Sequence, residues 1–592
     1  MALGAASLWR PAGLPLVALA DFDHDDALYV RLGSHLARAE WLGPYDESTL
    51  AKGPGFPLFV AAAYRAGIPL LLAGRLLFAA ASGLLVLALL PLFRGRTVPL
   101  LLFAALLFNP VVVTRAAREL IYPSLTLLAL AGAAGLFLSF PSSRSRGIAW
   151  AALCGFGLGA LWLTREEGIW IVPAVGTLLA ATAVRTAVLH GRTRPLAEAA
   201  LLALLPAGIL GAVLLAVALV NLRVYGSFAV RESSGGPFLA AYGSLSRVLP
   251  LRPVPRVPVP REARLRAYAW SPALRSLEPH LEGDVGRVFT AASEALMPEA
   301  KGEIGAGWLQ FALRESAAKT GRYRDARTAA AFWEQVRREL DDACDQGRLA
   351  CGPNLGSMTP PDAASQLPAV LADLPRSLGV LVSSVDSAPA LRDPGASRGP
   401  KAGRVLFARL TRERLAPAPD EPRWIRLHGW AFRRGIGPVE WRVRNAKGAA
   451  VPFGVRRTAS EDVAAALGAP EARDARVELL ASCPGPCVVE VTDSGRPLVW
   501  FDPSSPGVRT GNPPSSLALS VDGVEIVSPA ASPGDYERDQ WRRDALRRVA
   551  AAYRTILTTA FPAAVLLFAL AAGITGVRRC DARAVVVTGA LL

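Results

Sequence analysis

The sequence predicts a mainly α, polytopic membrane protein with a large exterior domain, helical at first and then a small β-sandwich. Three observations predict it. Hydrophobic residues make up 52% of the 592 positions. They gather in apolar runs near 72–93, 97–113, 119–140, 147–163, 168–189, 196–222 and 554–577, each close to the ~20 residues a spanning helix needs. Finally, residues 223–553 separate the sixth run from the seventh, and their rhythm changes from helical to strand-like at about 420.

Arginine sets the topology of the runs. Arg94 and Arg96 follow the first, Arg144 and Arg146 the third, Arg185, Arg192 and Arg194 the fifth, and Arg578, Arg579 and Arg583 the seventh. Loops rich in arginine and poor in acids stay cytoplasmic. The alternate loops, near 114–119 and 164–168, mix arginine with Glu119, Glu166 and Glu167 and are expected outside, as are 24–53 and 223–553. Both ends look cut. Residues 1–20 carry Arg10 and Pro11 and make a poor span or a signal-like segment, while ARAVVVTGALL stops part-way through another apparent span. The formal charge of +16 comes almost wholly from arginine, with lysine only at 52, 301, 319, 401 and 447. That bias fits a GC-rich bacterial genome. Nucleic-acid binding would instead cluster the basic residues and aromatics on one soluble face, so no nucleic-acid partner is expected.

The exterior segment divides by composition. Residues 223–415 read as helices and loops: a proline-rich arm over 250–264, helical patterns near 284–297, 305–345 and 362–383, and a Pro/Gly/Ser linker at 388–402. Proline cannot continue a helix, so the arm is expected to be extended. From 420 to 530, WIRLHGWAF, VEWRVRN, RVELLAS, CVVEVTD and PLVWF alternate with turn signals such as NAKG and DSG, the pattern of a small sandwich. Trp424, Trp430 and Trp441 make either a sugar-stacking platform or its aromatic core. Residues 536–556 read as a basic amphipathic helix leading back to the membrane, which places the first module at 1–222, with its exterior loop at 21–53, and the last at 536–592. Cys344/Cys351 and Cys483/Cys487 are close pairs outside the membrane, while Cys154 and Cys580 are solitary. Two short-loop disulfides in an oxidising compartment are expected, with free thiols in a turn the alternative for CPGPC. No phosphate-binding GxxxxGK[ST], HExxH or dinucleotide fingerprint occurs.

Ionisable groups at a membrane surface tend to mark sites. HDDALYVRLGSHLARAEWLGPYDESTLAKGPGFPLF, residues 24–59, gathers Asp25, Asp26 and Lys52, with Tyr29 and Tyr45 as residues that could line a pocket. Arg115, Arg118 and Glu119 stand in the second outward loop, and Arg165, Glu166 and Glu167 in the third. Topology puts all three loops on one side. A carboxylate there could take a proton from an acceptor hydroxyl, and Lys or Arg could hold a departing phosphate. A divalent metal, Mg or Mn, could bridge acids and phosphate, though nothing requires one. Each residue also has a plain reading. Asp25 and Asp26 could cap the helix that starts at Ala27, Lys52 could snorkel, and the arginine–glutamate groups could be ion clusters at helix boundaries. His24 and His35 carry no ligand signature.

An acidic pair heading an amphipathic helix, a lysine–proline segment and a multispan region together resemble the C-type (GT-C) membrane glycosyltransferases, which include the protein mannosyltransferases and the bacterial aminoarabinose transferase. FNPVVVTRAARELIYPSLTLLALA (108–131) and GALWLTREEGIWIVP (159–173) extend the resemblance, which covers about residues 20–225. It implies a GT-C-like helix bundle in a bacterial inner membrane, with the large domain on the periplasmic side. Asp25 or Asp26 is then the base, Lys52 meets the donor phosphate, and a polyprenyl-phosphate sugar is the donor to a glycan, lipid or protein acceptor, with inversion. The lysine–proline segment departs from the family pattern, since Gly53 intervenes before Pro54. A transporter or flippase, and a non-catalytic scaffold of glycan assembly, are the alternatives; few charges in mid-span argue against a transport path.

Overall fold

In a computed structural model, residues 15–353 are described apart from 22, 94, 108–112, 141, 191–193 and 306. Residues 397–527 are described apart from 417, 419–422, 446, 484–486, 494–495, 502–508 and 511–514, and isolated helical positions appear at 368, 371–373, 376, 548, 551–552 and 555. The pattern at 362–383, the linker up to 396, the amphipathic helix at 536–556, the run at 554–577 and Cys580 lie wholly or almost wholly outside these residues.

Helices α1 (Asp26–Ala37) and α2 (Gly55–Arg65) precede the membrane series. That series is α3 (Leu70–Leu89), α4 (Thr97–Leu107), α5 (Tyr122–Ser139), α6 (Arg144–Thr164), α7 (Val172–His190) and α8 (Arg194–Tyr225). Among the described residues, five stretches are long and apolar enough to cross a membrane: Leu70–Leu92, Tyr122–Ser139, Arg144–Thr164, Gly168–Thr186 and Ala200–Tyr225. Within the expected run at 97–113 the structure describes a helix over Thr97–Leu107, and 108–112 lie outside the described residues. Residues 16–19, expected as part of a weak span, are instead extended and bridge to Arg115, Arg398 and Leu415.

Small residues let α5 and α6 touch. A Cβ at Gly132 would lie 2.3 Å from the Cys154 backbone nitrogen, and one at Gly157 would lie 2.8 Å from that of Ala129. Such close approach substitutes dispersion contact for the hydrophobic drive that lipid removes. The buried core of this bundle also takes in Leu16, Ala18, Phe407 and Leu410.

Beyond α8 the chain forms α9 (Pro237–Ser246), α10 (Arg261–Tyr268), α11 (Pro272–Arg275), α12 (Val285–Leu296), α13 (Trp308–Lys319) and α14 (Ala326–Asp345). They close over their own core, built from Phe238, Leu274, Leu313, Trp333 and Leu340 among others. Cys344 and Cys351 are bonded, clipping the end of α14. Helix α15 (Lys401–Thr411) returns to pack on α1 and α2.

The sandwich follows as β1 (Arg423–Arg433), β2 (Gly437–Pro438), β3 (Glu440–Asn445), β4 (Phe453–Thr458), helix α16 (Glu461–Leu467), β5 (Arg476–Cys483), β6 (Cys487–Asp493), β7 (Arg496–Phe501), β8 (Arg509–Thr510) and β9 (Leu517–Val527). Central β1 is flanked by β5 and β9, with β4 outside β5, and the second sheet runs β3-β6-β7-β8. Every pairing is antiparallel. Alternate residues Val477, Leu479 and Ala481 of β5 meet Val443, Val489 and Val491 of the other sheet, as the period of two demands. The Cys483–Cys487 bond sits where the chain passes between the sheets. Trp441 is buried in that core and Trp430 packs beside Phe432, ring centroids 6.1 Å apart. The aromatic-core reading therefore holds for Trp441, and the side chain of Trp424 lies outside the description.

Candidate active site

Local structure first brings the acidic pair to one end of the membrane bundle. Asp25 stands at the N-cap of α1 and Asp26 is its first residue, but neither side chain makes a capping bond: the N-cap has none. Both carboxylates are turned to cations instead. Asp25 accepts a hydrogen bond from the Lys52 ammonium through Oδ1. Asp26 accepts two from Arg115, Nη2 to Oδ1 at 2.6 Å and Nε to Oδ2 at 3.1 Å. Arg115 is held in place because Val17 donates its N–H to Thr114 O at 2.8 Å.

The two aspartates thus occupy different environments. The Asp26 side chain is 0% exposed, whereas that of Asp25 is 34% exposed. Burial pushes the Asp26 carboxyl up to about 6, opposed by the Arg115 guanidinium and reinforced by the nearby charges of Asp25 and Glu119. Lys52 is 8% exposed, its ammonium 5.3 Å from the centroid of the Tyr29 ring and 5.5 Å from that of Phe311 on α13. A compact ammonium over two ring faces gains cation–π attraction that partly replaces its lost hydration.

The glycine between Lys52 and Pro54 has a steric cause. A Cβ on Gly53 would lie 2.1 Å from Leu163 O at the end of α6, and one on Gly55 would lie 2.5 Å from Thr164 Oγ1. The lysine segment therefore runs directly over the end of α6, just before Arg165. Arg165 donates to Glu119 Oε1 at 3.3 Å, and its guanidinium lies 5.0 Å from the Tyr122 ring centroid. The second and third loops meet there, as topology required. Arg118 is half-buried in the short helical turn Arg118–Leu120. The side chains of Glu166 and Glu167, in the turn Glu166–Ile171, lie outside the description.

Tyr45 has another place. Its hydroxyl donates to Glu232 Oε1 at 2.6 Å, and its ring stacks on Tyr323 with centroids 6.0 Å apart. Burial and the adjacent Glu232 charge drive its phenol pKa far up, so it stays a neutral donor. His24 lies among Phe289, 5.3 Å away, and Phe311, 4.9 Å away. Desolvation lowers its pKa against the opposing charges of Asp23 and Asp25, and the Glu315 carboxylate lies 3.8 Å away. His35 pairs with Glu40 at 2.7 Å, on the far part of α1. Among the described residues no group of three His, Cys, Asp or Glu is placed to hold a metal ion. Sequence reasoning missed Phe311, Glu232 and Arg314, which come from 180 or more residues after Lys52 and carry no local signal.

No family model and no curated protein matches this chain. Among solved structures, the crystal structure of ArnT from Cupriavidus metallidurans in the apo state aligns over 81% of this chain and 96% of that one, at 14% identity. The TM-score is 0.23. At that value the likeness carries no argument, and the functional reading rests on the site.

Proposed function

We propose that the chain is a membrane glycosyltransferase of GT-C type, transferring a sugar from a polyprenyl-phosphate donor to an acceptor hydroxyl at the face that bears Asp25. The observation that carries the proposal is the division of labour within the acidic pair. Asp26 is sealed and bound at both oxygens, so it anchors α1 to Arg115. Asp25 is accessible and lies on the one lysine of the bundle. An accessible carboxylate beside an ammonium, at the membrane end of apolar helices, matches an acceptor arriving from water and a lipid-linked phosphate arriving from the bilayer.

In this scheme the acceptor oxygen attacks the anomeric carbon, the bond from that carbon to the phosphate oxygen breaks, and the acceptor proton passes to Asp25. Polyprenyl phosphate leaves with the bonding electron pair, its charge met by Lys52 and then by exterior arginines such as Arg165. A single displacement inverts the anomeric centre. No step uses a metal. The Asp25–Lys52 pair is then the resting arrangement: a donor phosphate competes for the ammonium and releases the carboxylate. The region following α8 covers the site through Phe311 and is suited to binding the acceptor glycan, lipid or protein, on the periplasmic side of a bacterial inner membrane.

The test is sugar transfer in membranes supplied with radiolabelled polyprenyl-phosphate sugars, at matched expression. Asp25→Asn should lose about 10²–10⁴ of the rate, the range for a general base. Lys52→Ala should also lose most of it, and Asp26→Asn should act through stability. Label crossing sealed vesicles without transfer would establish a transporter instead, and inert behaviour with a normal Asp25→Asn phenotype in the cell would indicate a scaffold.

A further inference from the structure

We infer that Arg314, acting through Glu232 and Ser233, is a positioning residue that fixes Lys52 in the site; the catalytic meaning of that position rests on the glycosyltransferase reading. Arg314 lies on α13, more than 250 residues from Lys52 in sequence, and its side chain is 2% exposed. It donates from Nη1 to Glu232 Oε2 at 2.7 Å and from Nε to Glu47 O at 2.7 Å. Its guanidinium also lies 5.0 Å from the Phe238 ring centroid and 5.1 Å from that of Tyr323. One buried cation therefore ties α13 to the loop before Lys52 and to the turn after α8.

That turn then holds the loop by its backbone. Glu232 donates its N–H to Leu50 O at 2.9 Å, Ser233 Oγ donates to Ala51 O at 2.9 Å, and Tyr45 closes the ring on the other Glu232 oxygen. The two carbonyls just before Lys52 are held from one side, while Gly53 and Gly55 lie against the end of α6 on the other. Phe311, one turn before Arg314 on the same helix, covers the ammonium. A lysine has four flexible carbons, so a precise ammonium position must come from its surroundings. Here α13 supplies both the clamp on the backbone and the ring over the head.

The experiment measures acylation of Lys52 by an amine-reactive ester in the full-length protein purified in detergent, read by peptide mass spectrometry. Exposed Lys401 serves as the internal reference. Removing Arg314 outright could prevent folding, so the variants are the conservative Arg314→Lys and the single-bond Ser233→Ala. Both should raise the Lys52 rate relative to Lys401 by about tenfold, a shift typical of coupled neighbours. Where transfer is measurable, both should raise KM for the polyprenyl-phosphate donor more than they lower kcat, and neither should add to the defect of Lys52→Ala. A merely structural role would lower yield and kcat alike in every background.

Unchanged Lys52 labelling in both folded variants overturns the inference, even if wild-type protein transfers sugar. Faster labelling in a protein that transfers nothing sinks the transferase reading and leaves the positioning intact.

Discussion

Asp26 shows how one side chain can be both anchor and liability. Its carboxyl sits at about 6 in the folded chain against 3.8 in the open one. A raised carboxyl favours the folded state most when it is protonated, below the unfolded value, and that advantage is lost as pH rises through the folded value. Two units correspond to about 3 kcal/mol. Thermal unfolding in detergent should therefore show wild type losing stability relative to Asp26→Asn between about pH 4 and pH 6, then running parallel above it. A difference independent of pH would mean that the carboxyl is not sealed. Arg115→Ala should be worse than Asp26→Asn, since it leaves a buried charge without its partner; about 2–4 kcal/mol is expected. The sequence placed Asp25 and Asp26 as interchangeable. Only the opposing partners, Lys52 on one and Arg115 on the other, separate their roles, and those partners are 27 and 89 residues away.

At the scale of elements, apolar periodicity was legible where a helix meets lipid and opaque where it meets protein. The runs behind α3, α5, α6, α7 and α8 stand out because lipid tolerates only satisfied backbone and apolar side chains. Helix α2 was missed because its eleven residues are too few to span and begin among the glycines and prolines that follow Lys52. The displaced proline after Lys52 looked like a departure from a pattern; the crossing over α6 gives it a cause. Gly53→Ala should force the lysine segment off Leu163 O, costing about 1–3 kcal/mol of stability and reducing any transfer with Lys52 still present. Normal melting and normal transfer would show that the crossing is looser than 2.1 Å implies. In the sandwich, by contrast, β5 alternates buried and half-buried residues throughout, so strand pattern and fold agreed.

At the scale of the whole molecule, three loops far apart in sequence converge at one end of the bundle, and the helical region after α8 closes over them. Alternation of loops across the membrane makes a checkable statement. Single cysteines at Ser233 and at Arg96 should label from opposite sides of intact cells with a membrane-impermeant maleimide, in a background lacking Cys154 and Cys580. Labelling from one side would overturn the topology. The same topology expects the two disulfides on the side of Ser233. Breaking Cys344–Cys351, which closes a short loop, should cost about 2–3 kcal/mol, read as a lower melting midpoint on reduction.

The sequence by itself determined the membrane class, the order of helical and strand regions, the cysteine pairs and the shortlist of charged residues, because each follows from local composition or short spacing. Tertiary structure alone decided which aspartate is sealed, that Tyr45 braces Glu232 instead of lining the Asp25 site, and that α13 covers Lys52. Those outcomes depend on contacts between segments tens to hundreds of residues apart. Burial and pairing are properties of the packed chain, and no local pattern encodes which distant partner a charge will meet.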